Sequence, residues 1–192
     1  MIYLIRHGQT AGNAERVVQA PDTPLSAHGS RQAERLGARL ADAGLTRIIA
    51  SDYPRARQTA AALAPDRTVP LEVTPLLRER DLGQLRGRPY AKVEHQFYGP
   101  EHDPPGGETW DLFRERVAAA WAHIGASADA GSATVAVVTH GLVCRALAEF
   151  HLALEPGESA PAWFPNASVT HIDPTPPWTL RLAASVSHLA DL

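Results

Sequence analysis

Ile2-Tyr3-Leu4-Ile5-Arg6-His7-Gly8-Gln9-Thr10 opens the chain and decides its reading. Four apolar, β-favouring residues end abruptly at an arginine, a histidine and a glycine. That pattern describes a strand delivering a cation and a nucleophile to a loop. The glycine permits a sharp turn and a close backbone approach to a ligand. The same grammar returns late in the chain. Ala133 to Val138 is a continuous apolar run rich in β-branched residues, the signature of a strand buried on both faces, and it ends at Thr139-His140-Gly141.

Outward from these two segments, strands and helices alternate. A polar loop over 8–24 precedes Ser26, a plausible N-cap for a helix carrying Ala33, Leu36, Leu40 and Ala43 before Gly44. Arg47-Ile48-Ile49-Ala50 reads as a second strand. Ser51 or Asp52 can cap the helix that Pro54 enters and that runs to about Leu63. A third strand is expected near Leu71-Glu72-Val73, followed by an irregular stretch over about 75–108 that includes Pro104-Pro105-Gly106-Gly107. Thr109 caps a helix with the stripe Trp110, Phe113, Val117, Trp121 and Ile124, read as core. A helix placing Val143, Leu147 and Phe150 on one side follows His140. Strand-like runs at about 167–172 and 178–186 close the chain. The alternation predicts an α/β fold with a largely parallel sheet, in one domain spanning 1–192.

The bulk numbers exclude several classes. The 192 residues carry 18 basic and 21 acidic side chains, a formal net charge of −3, and no basic block longer than two residues. That argues against a nucleic-acid partner. Seventeen of the 18 basic residues are arginine, with Lys92 the exception, and arginine suits forked contacts to oxyanions. The one cysteine, Cys144, lies in an apolar helical context and reads as a buried structural thiol. No apolar stretch approaches the roughly 20 residues that span a bilayer. The expectation is a cytoplasmic protein with no membrane partner.

In α/β sheets, ligands bind beyond the carboxyl ends of the strands. Those ends here carry Arg6-His7-Gly8, Ser51 with Arg55 one turn on, Arg78-Glu79-Arg80, and His140-Gly141. Arginine forks match phosphate oxygens, and backbone N–H groups at the helix starts near Gly8, Pro54 and Gly141 would add to an anion site. A neutral imidazole is a good nucleophile toward phosphorus. A carboxylic acid must then protonate the departing alkoxide, and Glu79 is the acidic residue placed for it. No tight cluster has metal-ligand spacing, so neither a metal nor another cofactor is expected.

Together these segments resemble the histidine phosphatase superfamily, the phosphoglycerate mutase-like phosphatases, nearly from end to end. Arg6-His7-Gly8-Gln9-Thr10 with Asn13 is similar to the opening motif, Ser51 to Ala60 to the second, Leu77 to Gly83 to the glutamate segment, and Val138 to Gly141 to the second histidine segment. Pro105 to Thr109 and Asn166 to Thr170 are also similar, less diagnostically. The resemblance implies a three-layer α/β/α sandwich around a mostly parallel sheet. It implies that His7 attacks phosphorus, that Arg6, Arg55 and His140 hold the phosphoryl oxygens, and that Glu79 is the proton donor. Gly8, Asn13, Gln19 and Gly141 are the expected substrate-binding residues, with Asn13 and Gln19 in the loop after the nucleophile.

Two departures bear on substrate. Leu85-Arg86-Gly87 replaces an aromatic-acidic-glycine triplet and adds positive charge near the site mouth, and Leu142 stands where the mutases carry a small polar residue. Arg80, Arg86 and Arg88 are open between a second anion site and solvated surface. The leading function is hydrolysis of a small phosphorylated metabolite. A phosphoglycerate mutase is the alternative, disfavoured by the short span from Glu79 to His140 and by Leu142. A non-catalytic phospho-ligand binding module is a third, disfavoured because both nucleophile and acid are retained. Neither the substrate's identity nor the oligomeric state is encoded in these motifs.

Overall fold

A computed structural model describes residues 1–66, 68–128 and 133–192. In chain order the elements are β1 (Ile2–Arg6), α1 (Ala11–Ala14), α2 (Ala27–Leu40), β2 (Arg47–Ser51), α3 (Pro54–Ala61), β3 (Leu71–Thr74), α4 (Tyr90–Val93), α5 (Trp110–Ala128), β4 (Val135–Thr139), α6 (Gly141–Phe150), β5 (Val169–Ile172) and β6 (Leu180–Ser185). The six strands form one sheet in the order β3-β2-β4-β1-β5-β6. β3, β2, β4 and β1 are parallel, β5 pairs antiparallel with β1, and β6 antiparallel with β5.

The period of two along each central strand divides the core into two layers. Leu4, Ile49, Val135 and Val137 face α5 and α6. Ile5, Ile48, Ala50, Ala136 and Val138 face α2 and α3. All five residues of β4 are buried, as a strand covered on both faces requires. The five apolar stripe residues of α5 are buried as expected. Three layers with helices on both sheet faces follow.

Four local details differ from the sequence reading. The loop over 8–24 contains α1, closed by a capping box in which Thr10 and Asn13 satisfy each other's backbone N–H. α3 has Tyr53 at its N-cap with no side-chain cap, because Ser51 and Asp52 are engaged elsewhere, on His140 and Arg78. Phe150 sits at the exposed end of α6 beneath the Arg114 guanidinium, outside the core. Within the irregular stretch, α4 and short 3₁₀ turns pack Val18, Leu82, Leu85 and Val93 into a satellite cluster beside the main core. No helix among the described residues is long and apolar enough to cross a membrane.

Candidate active site

The parallel register places the site. Ile5 pairs with Val138 and Arg6 with Thr139, and the His7 N–H donates to the Thr139 carbonyl at 3.0 Å. His7 and His140 therefore leave adjacent strands side by side, with ring centroids 5.0 Å apart. β2 contributes Ser51 on the far side of β4, and α3 starts directly after it with Arg55 in its first turn. The short turn after β3 carries Glu79 to the same edge.

The backbone pins His7. Its Nδ1 lies 2.7 Å from the Gly8 carbonyl oxygen, which only accepts, so Nδ1 carries the proton and Nε2 holds the lone pair. Burial, and then Arg55 and Arg6, push its pKa well below the usual histidine range, so the ring is neutral. The Gly8 N–H is not free for an anion. It donates to Thr59 Oγ1 at 3.0 Å, and that hydroxyl donates to the Arg55 carbonyl at 2.7 Å. Gly8 is also packed against the Gly29 carbonyl at the start of α2, where a Cβ would collide with backbone. Its service is conformational.

Arg6 and Arg55 are buried, and neither has a carboxylate within ion-pair distance among the described residues. One guanidinium nitrogen of Arg6 donates to the Phe164 carbonyl, and Arg55 donates to the Ala20 and Pro21 carbonyls at 3.2 Å. The Nε of each, and Nδ1 of His140, are buried without a hydrogen-bond partner. Three orphaned polar nitrogens around one histidine form an incomplete site that an anion's oxygens would complete. His140 is held through Nε2 by Ser51 Oγ at 2.9 Å, and burial lowers its pKa well below the usual range too.

Glu79 completes the set. Oε1 accepts from the Arg80 N–H at 3.0 Å and Oε2 from the Leu142 N–H, in the first turn of α6, at 3.1 Å. Those two bonds and the nearby Arg6 and Arg55 favour the carboxylate. Burial opposes them and wins, so the pKa is raised above the usual carboxylate range. A neutral imidazole and a carboxyl biased toward its acid form therefore share one cavity of about 320 Å³.

Its wall includes Arg6, His7, Arg55, Glu79, Gln19 and Gly141. Gln19 accepts from Thr10 Oγ1 at 2.6 Å. Gly8, Asn13 and His140 do not line it. Asn13 accepts from Thr10 and from Asn166 Nδ2, which bind the loop to the strand ends. Arg80, Arg86 and Arg88 part company. Arg80 is consumed by carbonyls of Phe97, His102 and Glu108, Arg86 is paired to Asp81, and Arg88 is exposed. Thr59, Trp163 and Phe164 join the site without a signal of their own among the strand ends, and Ser51, at the end of β2, serves it by holding His140. Thr59 lies four residues beyond Arg55, the spacing that let its hydroxyl reach the Arg55 carbonyl, whereas nothing in the sequence aims Trp163 at the site. Among the described residues no group of three or more His, Cys, Asp or Glu could hold a metal ion.

A family model described as the histidine phosphatase superfamily (branch 1) matches residues 2–181. The chain is 33% identical to the probable phosphoglycerate mutase GpmB of Klebsiella pneumoniae subsp. pneumoniae, over 98% of this chain and 94% of that one. Among solved structures it is similar to YhfR of Bacillus stearothermophilus, with a TM-score of 0.82, 30% identity and 98% of each chain covered. A mycobacterial glucosyl-3-phosphoglycerate phosphatase in complex with VO3 matches with a TM-score of 0.76 and 28% identity, over 94% of this chain and 96% of that one.

Proposed function

This chain belongs to the histidine phosphatase superfamily, branch 1, and from that premise we propose that it is a metal-independent phosphomonoester hydrolase. It acts through a phosphohistidine at His7 on a small phosphorylated metabolite. One observation carries the reading: His7, tautomerically fixed with Nε2 unprotonated, stands among two guanidiniums without ion pairs and opposite a carboxyl biased toward its acid form.

The chemistry follows in two steps. His7 Nε2 donates its lone pair to phosphorus, the N–P bond forms, and the P–O ester bond breaks. Glu79 gives its proton to the departing oxygen, which leaves as the alcohol. The ring, now phosphorylated on Nε2 and protonated on Nδ1, is cationic, and the Gly8 carbonyl stabilises it. Glu79, now a carboxylate, removes a proton from water. The water oxygen attacks phosphorus, the N–P bond breaks, and inorganic phosphate, neutral His7 and protonated Glu79 return. Arg6, Arg55 and His140 receive the charge on the equatorial oxygens, the role otherwise given to a metal ion.

The mutase reading rests on the relative that bears that name. It aligns almost end to end, and against it stand Leu142 and the short span from Glu79 to His140. The experiment is phosphate release from a panel of phosphomonoesters in excess chelator, with acid-labile labelling of His7. Hydrolysis with label on His7, lost in His7→Ala, supports the proposal. Interconversion of 2- and 3-phosphoglycerate dependent on a bisphosphoglycerate primer, outpacing hydrolysis, would replace it with the mutase. No turnover and no label would leave a phospho-ligand binding module.

A further inference from the structure

Beyond the floor, the cavity sorts charge in a way that bears on what is attached to the phosphate. Six arginines line it. Arg6 and Arg55 at the floor have no carboxylate partner. The four nearer the mouth are all engaged within the protein. Arg16 pairs with Glu94 at 3.1 Å, and Arg86 with Asp81 at 2.6 Å. Arg145 pairs with Glu149 at 3.8 Å and lies 3.8 Å from the centre of the Tyr98 ring. Arg80 is held by main-chain carbonyls. The extra charge that Arg86 brings to the mouth is thus neutralised on site.

The wall between those arginines is apolar and aromatic. Tyr90 and Phe97 meet edge to face at 5.3 Å, and Tyr98 packs on Trp110 at 4.7 Å. Leu142 lies beside the proton donor, because its own N–H binds Glu79. Trp163 covers the Arg6 guanidinium at 4.7 Å on one side and is still 60% exposed. A large ring left this open at a cavity mouth is where a ligand's own apolar surface gains most from contact.

We infer that the substrate's leaving group is uncharged and carries an aromatic ring, and that the site discriminates against phosphomonoesters bearing a second anionic group. The inference rests on the phosphatase reading of the floor. A dianionic phosphoryl group uses both unpaired guanidiniums, so a carboxylate or second phosphate at the mouth meets only arginines already neutralised and must sit beside the like charge of Asp81, Glu94 or Glu149. A ring displaces nothing and covers Trp163, Phe97 and Leu142. The volume lies at the small end of the roughly 300–1,000 Å³ of small-molecule sites, matching a phosphoryl group with a modest ring system.

The test compares 2-phenylethyl phosphate, its para-carboxylate and propyl phosphate, whose leaving alcohols have nearly equal acidity. The expected kcat/KM favours the phenylethyl ester over each of the others by roughly tenfold or more. Trp163→Ala, a change at an exposed side chain, removes the preference over propyl phosphate through KM. Asp81→Asn keeps Oδ1, which accepts from both the Gly83 N–H and Arg86, but removes the negative charge beside Arg86, and so narrows the gap to the carboxylate. Equal turnover of the para-carboxylate or of propyl phosphate by the unaltered protein overturns the inference while leaving hydrolysis intact. No turnover of any ester, with His7 unlabelled, overturns the phosphatase reading and this inference with it.

Discussion

The floor and the mouth of the cavity are built by different means. The floor stands on strand ends: His7 and His140 follow β1 and β4 directly, and their positions are set by sheet register and by main-chain or hydroxyl partners. The mouth is assembled from segments 16–21, 80–98 and 141–164, joined by a short run of main-chain hydrogen bonds between residues 16–18 and 87–90 and by arginines reaching across to carbonyls. The floor leaves polar nitrogens unpaired, at a cost in stability of about 1–3 kcal/mol each. The mouth satisfies its cations. Orphaned nitrogens on Arg6, Arg55 and His140 beside the nucleophile mark where a ligand's oxygens fit, whereas the unpartnered Nε1 atoms of Trp121 and Trp178 lie away from the cavity and mark none.

The widest separation between the two regions is expected at His7. His7→Ala should lower kcat/KM by on the order of 10⁴-fold or more, because the covalent intermediate forms on its Nε2, with acid-labile label lost in parallel. Glu79→Gln comes next, at about 10²–10⁴-fold for alkyl esters. Its pH dependence is more diagnostic than its size. Activity needs neutral His7 and protonated Glu79. The acid limb therefore lies well below 6.5 and the alkaline limb at the raised Glu79 pKa, above 4.5. Glu79→Gln should erase the alkaline limb. A profile in which that limb survives would assign the proton donor elsewhere.

Stability follows the same shifts. His7 and His140 are depressed, so the unfolded chain takes up protons that the native state refuses. Their contribution is complete above pH 6.5 and is lost as pH falls through their native values. Glu79 is raised, so its contribution is complete below 4.5 and is lost as pH rises through its native value. Glu79→Gln removes this titration but also one of the two oxygens that accept from Arg80 and Leu142, so the readout is the pH dependence. The Tm of the unaltered protein should fall relative to that of Glu79→Gln as pH rises above 4.5, and parallel curves would contradict the raised carboxyl.

How much of this was legible in the sequence divides along the same line. Register does the work at the floor: a strand's last residue and the loop that follows are readable from an apolar run that stops, so His7, Arg55, Glu79 and His140 emerged together. β4 read correctly because a strand covered on both faces has no polar residue to confuse it. Ser51 misled because a serine before a proline-led helix is a good cap in isolation, and only the neighbouring strand shows that His140 claims its hydroxyl. Arg80 and Trp163 were illegible for a stronger reason. Their partners lie 17–28 and 157 residues away across irregular backbone, where no periodicity carries information.

The two classes of arginine give the sharpest contrast. Arg55→Met should cost about 10²–10³-fold in kcat/KM, the value of a preorganised charge on the transferring group. It should lower Tm less than Arg80→Met does, because methionine strands only the Ala20 and Pro21 carbonyls while it removes a buried guanidinium whose Nε has no partner. That outcome would place Arg55 wholly on the functional side, and a large fall in Tm would move it to the architectural one.

Arg80→Met should behave in reverse. Its side chain is fully buried and donates to the carbonyls of Phe97, His102 and Glu108, three groups that methionine strands in the protein interior. The expected loss is roughly 2–4 kcal/mol, seen as a Tm lower by about 5–15 °C. Catalysis should suffer least of all. The Arg80 N–H that binds Glu79 belongs to the main chain and survives the change, so kcat should stay within about threefold. KM should rise instead, since Phe97 loses the anchor that holds it on the cavity wall. If kcat falls as far as it does in Arg55→Met, the mouth and the floor are one cooperative unit, and the positions of the leaving-group wall and the proton donor are set together through residues 79 and 80.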